Sequence, residues 1–156
     1  MPLSLISPAF EPDAEIPRAH TGDGDDRSPP LRWDGAPSQT TTYALIVDDP
    51  DAPAGTFVHW VAFDIPAGES GLPEGVEHYG DLTDGMKQGV NDFDRNGYGG
   101  PMPPRGEMHR YRFKLYALDD RLPLRPGANR EDLERAMQGH VLDEAELVGR
   151  YARPMR

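Results

Sequence analysis

The chain contains no cysteine, so disulfide bridges, thiolate nucleophiles and thiolate metal sites are excluded from the outset. Lysine is nearly absent too: Lys87 and Lys114 are the two, and the remaining basic side chains are arginine, from which nothing functional follows. No apolar run approaches the length of a membrane span. No basic segment followed by an apolar core opens the sequence, and no lipidation motif closes it. The expectation is therefore a cytoplasmic protein without stable membrane attachment. Positive charge is also scarce, and the net charge of −11 repels nucleic acid and anionic membrane alike. An acidic protein can still hold an anion, through a local arrangement of donors.

Turn-forming residues are abundant. Seventeen glycines and seventeen prolines run from end to end, which predicts many turns joining short strands. At 156 residues the chain reads as a single domain, 1–156, large enough to bury most of its apolar surface. Residues 7–37 read mostly as turns, preceded by an edge strand over 3–6. Strands are expected over 41–48 and 57–65, both apolar on two faces and hence central. Residues 66–100 read as loops. A third strand over 111–118 turns Tyr111, Phe113, Leu115 and Ala117 one way and Arg112, Lys114 and Tyr116 the other. One helix stands out: Asn129 is a good N-cap, Glu131 and Asp132 suit the first turn, and Leu133, Ala136 and Met137 form an apolar stripe. It either breaks at Gly139 or continues through His140 and Leu142, and a last strand follows over 144–151. These elements make a mostly-β domain, a sandwich.

Two segments carry the chemistry. In the first, Asp48-Asp49-Pro50-Asp51-Ala52-Pro53 runs into Phe57-Val58-His59-Trp60. In the second, Gly99-Gly100-Pro101-Met102-Pro103-Pro104 runs into His109-Arg110-Tyr111. Each joins a turn stiffened by proline to a strand bearing a histidine. For Asp49 and Asp51 the reading is open between a solvated turn and a carboxylate that faces a pocket while the other braces the turn against Arg110. His59 is expected to share a face with Phe57, Val61 and Phe63, and His109 a face with Tyr111 and Phe113. Either ring alone reads as a hydrogen-bonded core histidine; the parallel recurrence favours function. The loop Gly97-Tyr98-Gly99-Gly100-Pro101 can turn amides towards an anion or be simply flexible. Asn91-Asp92-Phe93 reads as a surface turn, with an Asx-turn as the alternative. His59, His109, Asp49 and Asp51 also admit a metal reading, but without the short ligand spacing of a metal motif.

At these segments, and at Asn91-Asp92-Phe93, the chain closely resembles the phosphatidylethanolamine-binding protein family, in its bacterial kinase-inhibitor-like branch. Flanking matches are Ser28-Pro29-Pro30-Leu31-Arg32-Trp33, Gly139-His140-Val141-Leu142 and Leu147-Val148-Gly149-Arg150-Tyr151, so the resemblance covers nearly the whole chain. It implies a β-sandwich with a large central sheet, a smaller sheet and a C-terminal helix near the pocket mouth, and non-trans peptide bonds near the turns. It also implies a shallow pocket for phosphate, acetate or cacodylate-like groups or a phospholipid headgroup. Asp49, His59, His109 and Tyr111 would line it, with Phe57 on one wall and Gly99, Gly100 and Pro101 as an amide-bearing rim; Asp51 would support the turn. The chain departs from the family at Asp94, where glycine is usual, and at Met102, where cysteine is common. The expected function is a non-enzymatic binding module for a small anionic ligand, needing no cofactor and no metal. The alternatives are a protein-binding inhibitor of a kinase or protease, and a metal-assisted hydrolase. A homodimer is compatible with this branch.

Overall fold

Alternation of apolar and polar side chains resolves into two antiparallel sheets in the computed structural model, which describes residues 2–82 and 84–155. In chain order the strands are β1 (Ser4–Ile6), β2 (Leu31–Asp34), β3 (Thr42–Asp49), β4 (Phe57–Pro66), β5 (Gly71–Leu72), β6 (Lys87–Gln88), β7 (Met108–Leu118) and β8 (Val141–Ala152), with helix α1 (Arg130–Met137) before β8. The small sheet has the order β1-β2-β5 and the large sheet β6-β4-β3-β7-β8. Between them lies the main core, where Leu5, Leu31 and Trp33 meet Tyr43, Leu45, Val47, Phe113 and Leu115. All of β3 is buried, as its central place and two apolar faces require.

The opposite face of the large sheet carries a second core, in which Leu133 and Met137 of α1 pack with Ala44, Ile46, Val58, Val61 and Phe63. The helix begins where expected: Asn129 accepts from the Asp132 amide, and the Asp132 carboxylate accepts from the Asn129 amide. This reciprocal cap is worth about 1 kcal/mol. The open question of its end is settled by Gly139, whose φ of 83° reverses the chain into β8. The apolar face of the helix seals this side of the large sheet, and its first residues lie beside Asn91, Asp92 and Asp94.

Several boundaries differ from the sequence reading. Residues 31–34, read as turn, form β2 because Leu31 and Trp33 alternate inward. Two short pairings, β5 and β6, interrupt the loops of 66–100. β7 starts at Met108 and β8 at Val141, both exposed, so their ends lacked a burial pattern to read. Every described peptide bond is trans, contrary to the family tendency.

The most consequential difference is a bulge. Val47 pairs with Trp60 and Asp48 with Val58, so His59 is the extra residue on β4. A bulge re-aims side chains by breaking the two-residue period. His59 and Phe57 therefore lie on one side, while Val61 and Phe63 belong to the core beneath the helix. The shared face expected for all four is corrected. Among the described residues no helix is long and apolar enough to cross a membrane.

Candidate functional site

Three strand ends converge at one edge of the sandwich: the C-terminal end of β3 with Asp49, the start of β4 with Phe57 and His59, and the start of β7 with His109 and Tyr111. They surround a cavity of about 170 Å³. The turn after β3 and the segment before β7 close its sides through Pro53, Pro103 and Pro104. Of the residues named from the sequence, Asp49, Phe57, His59, His109 and Tyr111 line this space.

His109 and Asp49 form the electrostatic centre. Both side chains are at most 5% exposed, and His109 Nδ1 lies 2.6 Å from Asp49 Oδ2. Nε2 of the same ring lies 3.2 Å from Glu107 Oε1, which is largely in solvent. Burial works against a charged ring here, but the hydrogen bonds to Asp49 and Glu107 outweigh it and raise the His109 pKa. The second Asp49 oxygen accepts the Asp51 amide at 2.8 Å. Asp51 braces the turn as expected: it accepts from the Arg110 amide at 2.9 Å and from two guanidinium nitrogens at 2.9 and 3.0 Å. That fork holds the Asp51 pKa down to about 2, against a smaller opposing effect of burial.

His59 is set differently. Its Nδ1 lies 2.6 Å from the Gly99 carbonyl oxygen, an atom that can only accept, so Nδ1 carries a proton. Burial lowers the pKa of this ring, opposed by the Gly99 bond and by Asp49. The ring is packed edge-on against Phe93 and Tyr111, with centroids 5.4 and 5.3 Å away. Tyr111 is 1% exposed, and its hydroxyl is buried without a hydrogen-bond partner among the described residues. Burial, followed by the Asp49 and Asp51 charges, pushes its pKa far above that of a free phenol, so the group stays an O–H. A buried, unpaired hydroxyl is uncommon. Tyr111 is also one of the residues that line the cavity.

The glycine rim is corrected. The Gly99 amide donates to the His59 carbonyl at 2.9 Å, the Gly100 amide donates to Asp26 Oδ1 at 2.7 Å, and Pro101 has no N–H. None of the three lines the cavity. Their smallness serves close packing instead. A Cβ on Gly99 would strike the Phe93 ring, and one on Gly100 would come within 2.6 Å of Asp26 Oδ1 and the His20 carbonyl.

The residues of the metal reading each have another partner: Asp49 bonds to His109, Asp51 to Arg110 and His59 to Gly99. Among the described residues no three metal-ligand side chains are grouped to hold an ion.

Six contributors, Asn91, Phe93, Met102, Pro103, Pro104 and Glu107, were not among the site residues expected from the sequence. Asn91, read as a surface turn, is 2% exposed; its Oδ1 accepts the Phe93 amide at 2.8 Å and its Nδ2 donates to Gly97 at 2.9 Å. This Asx-turn delivers Phe93 against Phe57, with centroids 4.8 Å apart. Met102 forms part of the wall and is 42% exposed. Pro103 and Pro104 complete it. Glu107 was legible in principle, since it precedes His109 by two residues and an extended chain returns to the same side at that spacing. Asp94 has a φ of 63°, which explains why glycine is usual there, and it does not line the cavity. Among the described residues no lysine or arginine lines it either.

A family profile described as Phosphatidylethanolamine-binding protein matches residues 6–152. A UPF0098 protein of Methanothermobacter thermautotrophicus is 52% identical over 97% of this chain and 99% of its own length. A second, of Pyrococcus abyssi, is 50% identical over 95% of this chain and 84% of its own. Among solved structures, the phosphatidylethanolamine-binding protein homologue CT736 of Chlamydia trachomatis superposes with a TM-score of 0.88 at 35% identity, covering 96% of this chain and 97% of its own. YbcL of Escherichia coli, described as a member of the mammalian family, gives 0.89 at 30% identity, with coverage of 97% and 99%.

Proposed function

The chain belongs to the phosphatidylethanolamine-binding protein family, and from that premise we propose that it is a non-enzymatic binding module for a small oxyanion. The observation that carries this reading is Tyr111, a cavity-lining residue whose buried hydroxyl has no partner among the described residues. An unmade buried hydrogen bond costs about 1–3 kcal/mol, and a ligand oxygen would remove that penalty.

The rest of the cavity supports the same chemistry. Phe57, Phe93 and the prolines exclude water, which strengthens each polar contact inside. The raised pKa of His109 favours an imidazolium, whose Nε2 faces a weakly held Glu107 at 3.2 Å. A ligand oxygen can displace that exposed carboxylate and take its hydrogen bond. Among the described residues the lining holds no serine, threonine, lysine or cysteine to act as a nucleophile, which favours binding over turnover.

Calorimetric titration of inorganic phosphate at pH 6 tests the proposal. Saturable binding to the wild type, weakened at least tenfold in Tyr111→Phe and His109→Ala, is the expected result. Absence of binding at millimolar phosphate, or equal binding by both variants, would remove it.

A further inference from the structure

We infer that this cavity selects an oxyanion that brings its own proton: a phosphate monoester as the monoanion, in preference to sulfate or a phosphodiester. The inference rests on the proposed binding at this site and narrows it to a ligand class.

The argument is an inventory of donors and acceptors. Nδ1 of His59 carries a proton because the Gly99 carbonyl, 2.6 Å away, can only accept. A neutral imidazole then presents Nε2 as a lone pair. The ring is 4% exposed, and burial resists adding a second proton. The titratable groups around it are Asp48 and Asp49 of β3, His109 and Tyr111 of β7, Asp26 ahead of β2, and Asp92, which accepts the neighbouring Val58 amide. Glu107 reaches His109 and no further into the cluster.

Both Asp49 oxygens already accept, from Asp51 and His109, and their remaining lone pairs can only accept, never donate to a ligand. Among the described residues no guanidinium or ammonium group lines the space; Arg110 is held by Asp51 and Arg112 by Asp48. The ligand therefore meets an acceptor at His59, the His109 ring and the side chain of Tyr111.

A fully deprotonated oxyanion sets lone pair against lone pair at His59, with carboxylates behind. A monoanionic phosphate monoester donates its P–O–H to His59 Nε2 and accepts from Tyr111 with another oxygen. A site built around a ligand hydroxyl discriminates strongly against analogues that lack it. The phosphate of an intact phospholipid is a diester with no such proton, so free phosphate or a phosphomonoester headgroup fits and the intact lipid does not.

The test compares methyl phosphate, dimethyl phosphate and sulfate by calorimetry at pH 5.5 and 7.5, with phosphoethanolamine and inorganic phosphate as further monoprotonated probes. With a second pKa of about 6 for a monoester, methyl phosphate should bind about 25-fold more weakly at pH 7.5, following its monoanion. Sulfate and dimethyl phosphate should be at least tenfold weaker than methyl phosphate at pH 5.5. On adding methyl phosphate, ¹⁵N NMR should show His59 Nδ1 still protonated and Nε2 changing from a free to a hydrogen-bonded acceptor. Sulfate or dimethyl phosphate within tenfold of methyl phosphate, or sulfate tightening in parallel at low pH, would overturn proton selection while leaving oxyanion binding intact. Binding by none of the probes would overturn both.

Discussion

Replacing Tyr111 by phenylalanine should make the ligand-free protein more stable while impairing its binding. The hydroxyl is buried and unpaired in the folded protein but hydrated in the unfolded chain, so the native state carries its desolvation penalty. Taking the low end of the usual range gives a gain of about 1 kcal/mol in Tyr111→Phe. The phenyl ring preserves the edge-on contact with His59, so little packing is lost. For a chain of this size, a gain of about 1 kcal/mol raises Tm by about 2–4 °C. With an m-value of about 2 kcal/mol/M, the urea midpoint rises by about 0.5 M and the slope is unchanged.

Ligand reverses the order. At a concentration 100 times Kd, the wild type gains about 2.7 kcal/mol, and a tenfold weaker variant gains about 1.4 kcal/mol less. Parallel urea melts of both proteins, with and without phosphate at pH 6, read the crossing directly. A variant less stable than the wild type without ligand, at equal m, would refute the reasoning: the hydroxyl would then be satisfied, as by a buried water, and would not be waiting for a ligand.

Asp49→Asn should lose about 3 kcal/mol at pH 6, where it strips a buried partner from a charged ring, and clearly less at pH 8. His109 holds its proton more tightly when folded, so its contribution is full below the unfolded pKa of about 6.5 and fades as pH rises through the folded value. Urea melts at the two pH values test this, and equal losses would contradict it. Gly99→Ala should cost about 1–3 kcal/mol through overpacking and at least tenfold in phosphate affinity, because the new methyl pushes Phe93 towards the cavity. A thermal melt paired with calorimetry separates the two effects. Glu107→Gln should tighten phosphate binding several-fold at pH 6, since it removes a competing carboxylate from His109 Nε2; unchanged or weaker affinity would show that Glu107 is not displaced.

The sequence was strongest where local chemistry dictates local structure. Asn129 with Glu131 and Asp132 marked a helix start and the alternation from Tyr111 to Ala117 marked one buried face, while Gly139 left the helix end open. Proline at positions 50 and 53 marked a rigid turn, while spacing left the roles of Asp49 and Asp51 open and only the resemblance assigned them. It was weakest where pairing partners decide. β2 carries two inward residues, too short a period to recognise, and exists because β1 and β5 pair with it. The bulge at His59 leaves no mark in composition, since an extra residue on one strand is defined by its neighbour's register.

By itself the sequence determined a cysteine-free, acidic, mostly-β chain and the pieces of a pocket: two histidines, a proline-stiffened carboxylate turn and the ring of Tyr111. Only the tertiary structure decided how those pieces act. It occupied the Gly99 and Gly100 amides with other partners, paired His109 with Asp49 and Glu107, and left the Tyr111 hydroxyl with none. Proton and hydrogen-bond assignments depend on which groups meet at less than about 3 Å. The groups that meet here come from strands some fifty residues apart in the chain, a distance across which no local pattern carries information.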